Sequence, residues 1–260
     1  MYDFAYHRPG SLADAARLAK SDDAKLVAGG MTLIPTMKQR LARPSDLIDL
    51  GGLKDLAGIK VEGGKVTIGA LTPHGQVAAS ADVKRAIPAL AALAGGIGDP
   101  QVRNCGTLGG SLANNDPAAD YPAAALGLGA TIQTNERSIA ADDYFKGMFE
   151  TALKPGEIIT SVSFPTAERA GYAKFRNPAS RYAIIGVFVA KTAQGVRVAV
   201  TGAGNGVFRV KAMEDALARS WSADALKGIS VPASQCNGDI HASSEYRAHL
   251  IGVMAQRALA

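Results

Sequence analysis

Hydrophobic and polar positions in the first fifty residues alternate between strand-like and helix-like patterns. The stretch Ser11–Leu18 combines a capping-box start with apolar residues on one side of a helix. Short apolar runs at 25–28 and 46–50 are typical of strands. This order predicts a β-α-β opening of about fifty residues.

The pattern changes to that of hairpins and short helices after residue 58. Residues 59–61 and 66–68 flank Gly63-Gly64, which predicts a β-hairpin. Proline at the first helical position suits a helix start at Thr72-Pro73. A further helix is predicted between Pro88 and Gly95-Gly96, and strands at 130–134 and 158–164.

The last ninety residues have the pattern of a small antiparallel sheet. Apolar runs at 172–176, 184–191 and 196–201 predict three strands, and the short turn 192–195 joins the last two as a hairpin. Helices predicted at about 210–219 and 245–259 would cover one face of this sheet, which is an α+β arrangement. We predict a domain boundary within 167–171.

Composition narrows the class of protein. At 260 residues and 47% hydrophobic content, the chain is long enough for two compact domains. It lacks a signal-peptide pattern and any apolar stretch of about 20 residues, so we expect a cytoplasmic protein without a membrane span. Its net charge of +5 is spread singly rather than in runs, which argues against nucleic-acid binding. Cys105 and Cys236 lack the spacing of a disulfide framework or an iron–sulfur site, so any cluster must come from a partner.

Two glycine pairs supply the candidate chemistry. Ala28–Thr32 follows a predicted strand and leads into a helix start, where unpaired N–H groups and the helix dipole attract anions. Thr107–Ser111 has similar composition. Glycine permits close approach of a phosphate to the backbone and a positive φ. Together the turns suggest one anionic ligand held from two sides.

These turns match no complete nucleotide-binding fingerprint, and plain tight turns remain the alternative for each of them. The segment 104–120 favours a binding role because it is small, polar and rich in donors, yet lies between apolar segments.

Three motifs in order carry a family resemblance. They are Ala28-Gly29-Gly30-Met31-Thr32, then Thr107-Leu108-Gly109-Gly110-Ser111 followed by Asp116-Pro117-Ala118-Ala119-Asp120, and finally Tyr172-Ala173-Lys174-Phe175. The chain resembles the FAD-binding medium subunit of molybdenum-containing hydroxylases, a group that includes carbon monoxide dehydrogenase, bacterial xanthine dehydrogenase and aldehyde oxidoreductase. The resemblance runs from Tyr2 to the last helix.

The resemblance implies an α+β fold with a two-subdomain FAD-binding unit of the p-cresol methylhydroxylase type over 1–168, divided at about 1–56 and 57–168. A small C-terminal α+β domain with an antiparallel sheet would occupy 169–260. FAD would be bound noncovalently, its pyrophosphate on the two glycine turns. The cofactor-binding residues implied are Ala28, Gly29, Gly30, Met31, Thr32, Ile97, Thr107, Gly109, Gly110, Ser111, Asp120, Ile159, Lys174 and Tyr182.

Several single residues have an alternative interpretation. Asp120 also suits the N-cap of a helix that begins near Tyr121, and Lys174 also suits an ordinary edge-strand lysine. Cys105 is expected to be a small buried side chain rather than a flavin-reactive thiol, and His74 has no identifiable partner for general-base work. Met31 replaces a histidine that some related flavoproteins use for covalent attachment, so the flavin should be noncovalent.

The segment Arg176–Tyr182 corresponds to a family loop beside the isoalloxazine ring. The resemblance places Tyr182 over the ring face. Many relatives carry an acidic residue just before this aromatic position, whereas this chain has Arg181. This departure leaves open both the electron acceptor and any nicotinamide site.

The function implied is that of an electron-transfer flavoprotein subunit, an oxidoreductase component whose substrate chemistry occurs elsewhere. A large molybdopterin subunit and a small [2Fe-2S] subunit would be its partners, in a dimer of heterotrimers. The chain itself offers no catalytic constellation and no metal site. A free-standing flavin reductase or oxidase and a cofactor-free scaffold subunit are the alternatives. The sequence does not select the substrate of the complex.

Overall fold

The structure is a computed structural model that describes residues 1–260. Its first unit is a small parallel sheet in which the third strand lies between the other two. This arrangement confirms the predicted β-α-β opening. The Ser11 hydroxyl caps the first helix by accepting a hydrogen bond from the Asp14 amide at 3.1 Å. The elements are β1 (Ala5–His7), α1 (Leu12–Leu18), β2 (Lys25–Val27), α2 (Leu33–Lys38) and β3 (Asp46–Asp49).

The second unit packs short helices against a five-stranded antiparallel sheet of order β4-β5-β10-β6-β7. Its elements are β4 (Ile59–Glu62), β5 (Lys65–Gly69), α3 (His74–Ala79), α4 (Ala81–Ala86), α5 (Pro88–Gly95), α6 (Pro100–Cys105), α7 (Leu108–Asn114), α8 (Tyr121–Leu128), β6 (Thr131–Thr134), β7 (Ser138–Ala140), α9 (Ala141–Tyr144), β8 (Phe145–Gly147), β9 (Glu150–Thr151) and β10 (Ile159–Pro165). Strands β8 and β9 form a separate hairpin. Helix α8 is buried along its whole length, so it is the centre of this unit's core.

The third unit is an antiparallel sheet of order β11-β12-β13-β14. Its elements are β11 (Arg169–Arg176), β12 (Ala183–Thr192), β13 (Gly195–Thr201), β14 (Phe208–Arg209), α10 (Lys211–Arg219) and α11 (Ser244–Arg257). The predicted strands and both helices are confirmed, and the fold is α+β.

The third sheet is covered on both faces. Val187 and Val189 of β12 belong to the core formed with α10 and α11, whereas Phe188 packs into the core of the second unit. The contact with α8 is close, because a Cβ on Gly127 would lie 2.9 Å from the Phe188 ring. Strand β12 therefore joins the two cores, a contact that the alternation of the sequence did not predict.

Two local details differ from the sequence-based expectation. Pro73 is the N-cap of α3 rather than its first helical residue. The donor-rich segment after Cys105 is a helix, α7, capped by the Thr107 hydroxyl, rather than an open turn. None of the helices has the combination of length and apolar character that crossing a bilayer requires.

Candidate cofactor site

The first loop, Ala28–Thr32, connects β2 to α2 and presents a run of free backbone donors. None of the six consecutive amides from Ala28 to Leu33 donates a hydrogen bond to a protein acceptor. Gly30 has a φ of +70°, which turns the chain into the helix and which glycine adopts at little cost. Unpaired amides at a strand-to-helix turn are a site suited to an anion.

The second loop, Thr107–Ser111, forms the first turn of α7 and has mostly satisfied amides. The Leu108 and Gly109 amides donate to the carbonyls of Thr72 and Ala70 at 3.2 and 2.8 Å. The Gly110 amide donates to the Thr107 hydroxyl at 3.1 Å. The expectation that both turns offer free backbone donors is therefore correct for the first loop and wrong for most of the second, where only the Thr107 amide stays free.

The first loop packs against the backbone of Cys105 and Gly106, directly before the second loop, and the second loop packs against Ala70. A Cβ on Gly29 would lie 2.0 Å from the carbonyl oxygen of Cys105, and one on Gly109 would lie 2.6 Å from the Cβ of Ala70. At Gly30 the added Cβ would meet the Ile34 side chain at 2.8 Å. These glycines are therefore required by contacts within the protein, and not only by the approach of a ligand.

One pocket of about 570 Å³ includes both loops. Thirteen of the fourteen predicted site residues line it, which are Ala28, Gly29, Gly30, Met31, Thr32, Ile97, Thr107, Gly109, Gly110, Ser111, Asp120, Ile159 and Tyr182. Lys174 is not in the wall but is bonded to Asp120. The structure thus brings together residues from all three units.

An apolar part of the wall was not predicted from the sequence. Leu26, Leu50, Leu71 and Ile158 line the pocket and belong to the small core between the first and second units. Their side chains come from four separate segments, so no local spacing indicates them. This wall suits a flat aromatic ring system such as a nucleobase.

Asp120 is the centre of a buried charge cluster. Its carboxylate, 4% exposed, accepts hydrogen bonds from the Tyr172 hydroxyl and, at 2.9 Å, from Lys174 Nζ. Lys174 Nζ also donates to the Gly96 carbonyl at 3.2 Å. Burial raises the pKa of Asp120 and the positive charge of Lys174 opposes that rise. Asp120 does occupy the N-cap position of α8, as the alternative expected, but its side chain makes no capping bond there.

The segment from Asn177 to Tyr182 forms a tight turn over one side of the pocket. The Asn177 side chain accepts hydrogen bonds from the amides of Ala179 and Ser180 at 2.9 and 3.1 Å. Arg181 has a φ of +62° and lines the pocket together with Tyr182. Tyr182 and Thr32 both line the pocket, so this turn and the first loop contribute to the same cavity.

Cys105 and His74, both near the second loop, can be compared with what the sequence predicted for them. Cys105 is exposed, so the expectation of a buried cysteine is wrong; its carbonyl, rather than its thiol, packs against the first loop. His74 is buried and lines the pocket, and its ring contacts no carboxylate or nucleophile that would make it a general base.

Comparison with known proteins identifies the family. Residues 2–167 match the family described as "FAD binding domain in molybdopterin dehydrogenase". The chain belongs to the FAD-binding medium-subunit family of the molybdenum hydroxylases. It is 36% identical to the carbon monoxide dehydrogenase medium chain of Afipia carboxidovorans, over 98% of this chain and 95% of that protein. It is also 36% identical to the nicotine 6-hydroxylase medium subunit of Paenarthrobacter nicotinovorans, with 98% and 95% covered.

A solved structure agrees in fold over the same length. Reconstituted carbon monoxide dehydrogenase from Oligotropha carboxidovorans contains a chain that superposes with a TM-score of 0.91 at 33% identity, covering 99% of this chain and 96% of that one. Members of this medium-subunit family are components of oxidoreductase complexes, and this chain is a member of that family.

The residues of the pocket fit the FAD that the family binds. The free amides of the first loop suit a diphosphate, and the apolar wall of Leu26, Leu50 and Leu71 suits an adenine ring. His74, which lines the pocket, also has a buried Nδ1 atom without a hydrogen-bond partner. A dinucleotide therefore meets both donors and apolar surface here.

Proposed function

We propose that this chain is the FAD-binding electron-transfer subunit of a molybdenum hydroxylase complex, with FAD held noncovalently. The observation that carries the proposal is the run of six free amides from Ala28 to Leu33, in a loop that packs against Cys105 and Gly106 directly before the second loop. Bound FAD would supply the redox chemistry, and the protein would bind, orient and tune it.

The first loop would hold the diphosphate through its main-chain amides. The dipole of α2 adds little because the helix has only six residues, so the amides themselves carry the interaction. From the second loop, the Thr107 amide and the Ser111 hydroxyl would complete the cradle. Gly109 and Gly110 would act mainly by letting α7 begin close to β5, since the Gly109 amide is already bonded to Ala70.

The isoalloxazine ring would lie at the end of the pocket formed by Ile97, Asp120, Ile159 and Tyr182. Lys174 would place a positive charge behind the ring while neutralising the Asp120 carboxylate. Tyr182, 42% exposed, would cover one face of the ring. Met31 has no nitrogen with which to form a histidyl linkage to flavin, which supports noncovalent binding.

We also propose the assembly in which this subunit works. The matched relatives are named medium chain or medium subunit, which supports partners of other sizes. These would be a large molybdopterin subunit and a small [2Fe-2S] subunit in a cytoplasmic dimer of heterotrimers, with electrons passing from the clusters through this chain to an external acceptor. Within the chain, the division would lie at about residues 56 and 168, which the separate sheets support.

The experiment is to purify the chain alone and after co-expression with the products of the adjacent reading frames. We expect flavin absorbance in both preparations, no independent substrate turnover by the chain alone, and flavin bleaching when the clusters of the complex are reduced. Turnover by the isolated chain would favour a free-standing reductase. A folded chain that stays colourless with added FAD, alone and in the complex, would favour a scaffold subunit.

A further inference from the structure

Two buried polar side chains next to the pocket have no partner within the chain. His74 is 4% exposed and Tyr121 is fully buried, and neither His74 Nδ1 nor the Tyr121 hydroxyl makes a hydrogen bond. Their rings are neighbours, with centroids 5.3 Å apart. An unpaired buried polar group is costly, so two of them side by side indicate an interaction that a ligand or a bound water completes.

The imidazole of His74 lies against the second loop. The backbone amide of His74 donates to the Gly106 carbonyl at 2.9 Å. A Cβ on Gly106 would lie 2.7 Å from His74 Nε2, so this nitrogen is packed beside the loop that lines the pocket. His74 itself is part of the pocket wall. Nε2 is therefore on the side of the ring next to Gly106, which also lines the pocket, while Nδ1 is the fully buried nitrogen.

The charge state of the ring limits what it can do. Burial, with a smaller contribution from the positive charge of Arg103, lowers the pKa of His74 to about 4. The imidazole is then neutral near pH 7, with one donor and one acceptor nitrogen. Burial raises the pKa of Tyr121 far above its ordinary value, so its hydroxyl keeps its proton. A donor to Nδ1, such as a water held by this hydroxyl, fixes the tautomer in which Nε2 carries hydrogen.

We propose that His74 is a cofactor-binding residue whose Nε2–H donates to an oxygen of FAD beside Thr107, and that Tyr121 is the residue that positions it. The Tyr121 hydroxyl would donate to one bound water, which in turn would donate to His74 Nδ1. This inference rests on the proposed binding of FAD. It adds a side-chain donor to a second loop whose own amides are mostly occupied.

The test measures FAD affinity of the full chain by quenching of flavin fluorescence. We expect His74→Leu to raise Kd about tenfold, because it removes one hydrogen bond, and His74→Gln to stay within about threefold because it keeps a donor. Tyr121→Phe should raise Kd about three- to tenfold. The matched control is Tyr144→Phe, since the Tyr144 hydroxyl is also buried but donates to the Leu112 carbonyl; its Kd should not change.

Two further readouts separate positioning from a structural role. In the FAD-free protein, Tyr121→Phe removes an unpartnered hydroxyl, so its thermal midpoint should stay level or rise while its FAD affinity falls. Tyr144→Phe should instead lower the midpoint. In the FAD complex, nitrogen-15 NMR of labelled histidine should show hydrogen on Nε2 of His74.

The inference is overturned if folded His74→Leu binds FAD within twofold of the parent, or if the complex carries hydrogen on Nδ1. It is also overturned if Tyr121→Phe loses stability and affinity together. A parent chain that binds no FAD would instead refute the proposed function on which the inference rests, so the two failures are distinguishable.

Discussion

Replacing Gly29 by alanine tests whether the two loops hold the cofactor as one packed unit. The new Cβ would lie 2.0 Å from the Cys105 carbonyl oxygen, about 1.4 Å short of ordinary contact. The obstacle is backbone on both sides, so no side-chain rotation relieves it. We expect the loops to separate by about 1 Å, and overpacking of this kind costs about 1–3 kcal/mol of folding free energy.

Separation of the loops should weaken FAD binding more than it weakens the fold. Loss of one charge-assisted hydrogen bond to a phosphate costs about 1.5–3 kcal/mol, which is about 10- to 150-fold in Kd. Urea unfolding and FAD titration measure the two effects separately. The control is Gly10→Ala, since Gly10 has no atom near its added Cβ and should change the stability by less than about 0.5 kcal/mol. A Gly29→Ala variant with the stability and FAD affinity of the parent would refute the reasoning.

The remaining predictions concern charge and helix packing. Asp120→Asn leaves its buried lysine partner without a counter-charge, so the free energy of unfolding should fall by about 3 kcal/mol in urea; an unchanged value would contradict the role of the pair. The pKa of His74 is lowered to about 4, so protonation of this residue favours the unfolded state. The free energy of unfolding should therefore carry no penalty from His74 above about pH 6.5 and should fall by about 3 kcal/mol as the pH approaches 4. His74→Leu should remove this part of the acid sensitivity. The hydrogen bond from Arg137 lowers the pKa of Glu157 to about 2. The stabilisation of the fold by this ion pair should therefore be present above about pH 4.5 and be lost as the pH falls through 2. Arg137→Leu should shift the acid-unfolding midpoint to higher pH, and an unchanged midpoint would argue against the pair. Gly95 is on the exposed side of α5, where the nearest atom to an added Cβ is 3.7 Å away. Gly95→Ala should therefore stabilise the fold by about 0.5–1 kcal/mol and raise the thermal midpoint.

Local patterns predicted the strands and the long helices because their periodicity depends on which face is buried. The parallel opening and the hairpin of β12 and β13 follow from such periodicity. Helix α7 was missed because Gly109 and Gly110 are poor helix formers; it begins where its amides reach Ala70 and Thr72, contacts that no local pattern contains.

The sequence indicated some residues of the site and missed the contacts of others. The glycine loops could be found because a positive φ and a close approach both require glycine, at Gly30 and Gly29 respectively. The ion pair of Asp120 with Lys174 could not be found, because Lys174 lies 54 positions further along the chain, on strand β11, whereas Asp120 precedes helix α8. The exposure of Cys105 was also missed, because free cysteine is usually buried and no local pattern distinguishes this one.

The bonds from Tyr172 and Lys174 to Asp120 tie strand β11 to the start of helix α8. A fragment that stopped at residue 168 would keep the acid and lose both of its donors, and it would expose the side of α8 that Phe188 covers. Residues 1–168 should therefore not fold as an independent unit. Chimeras that exchange the C-terminal portion between medium subunits should succeed only when the incoming strand brings a matching tyrosine and lysine.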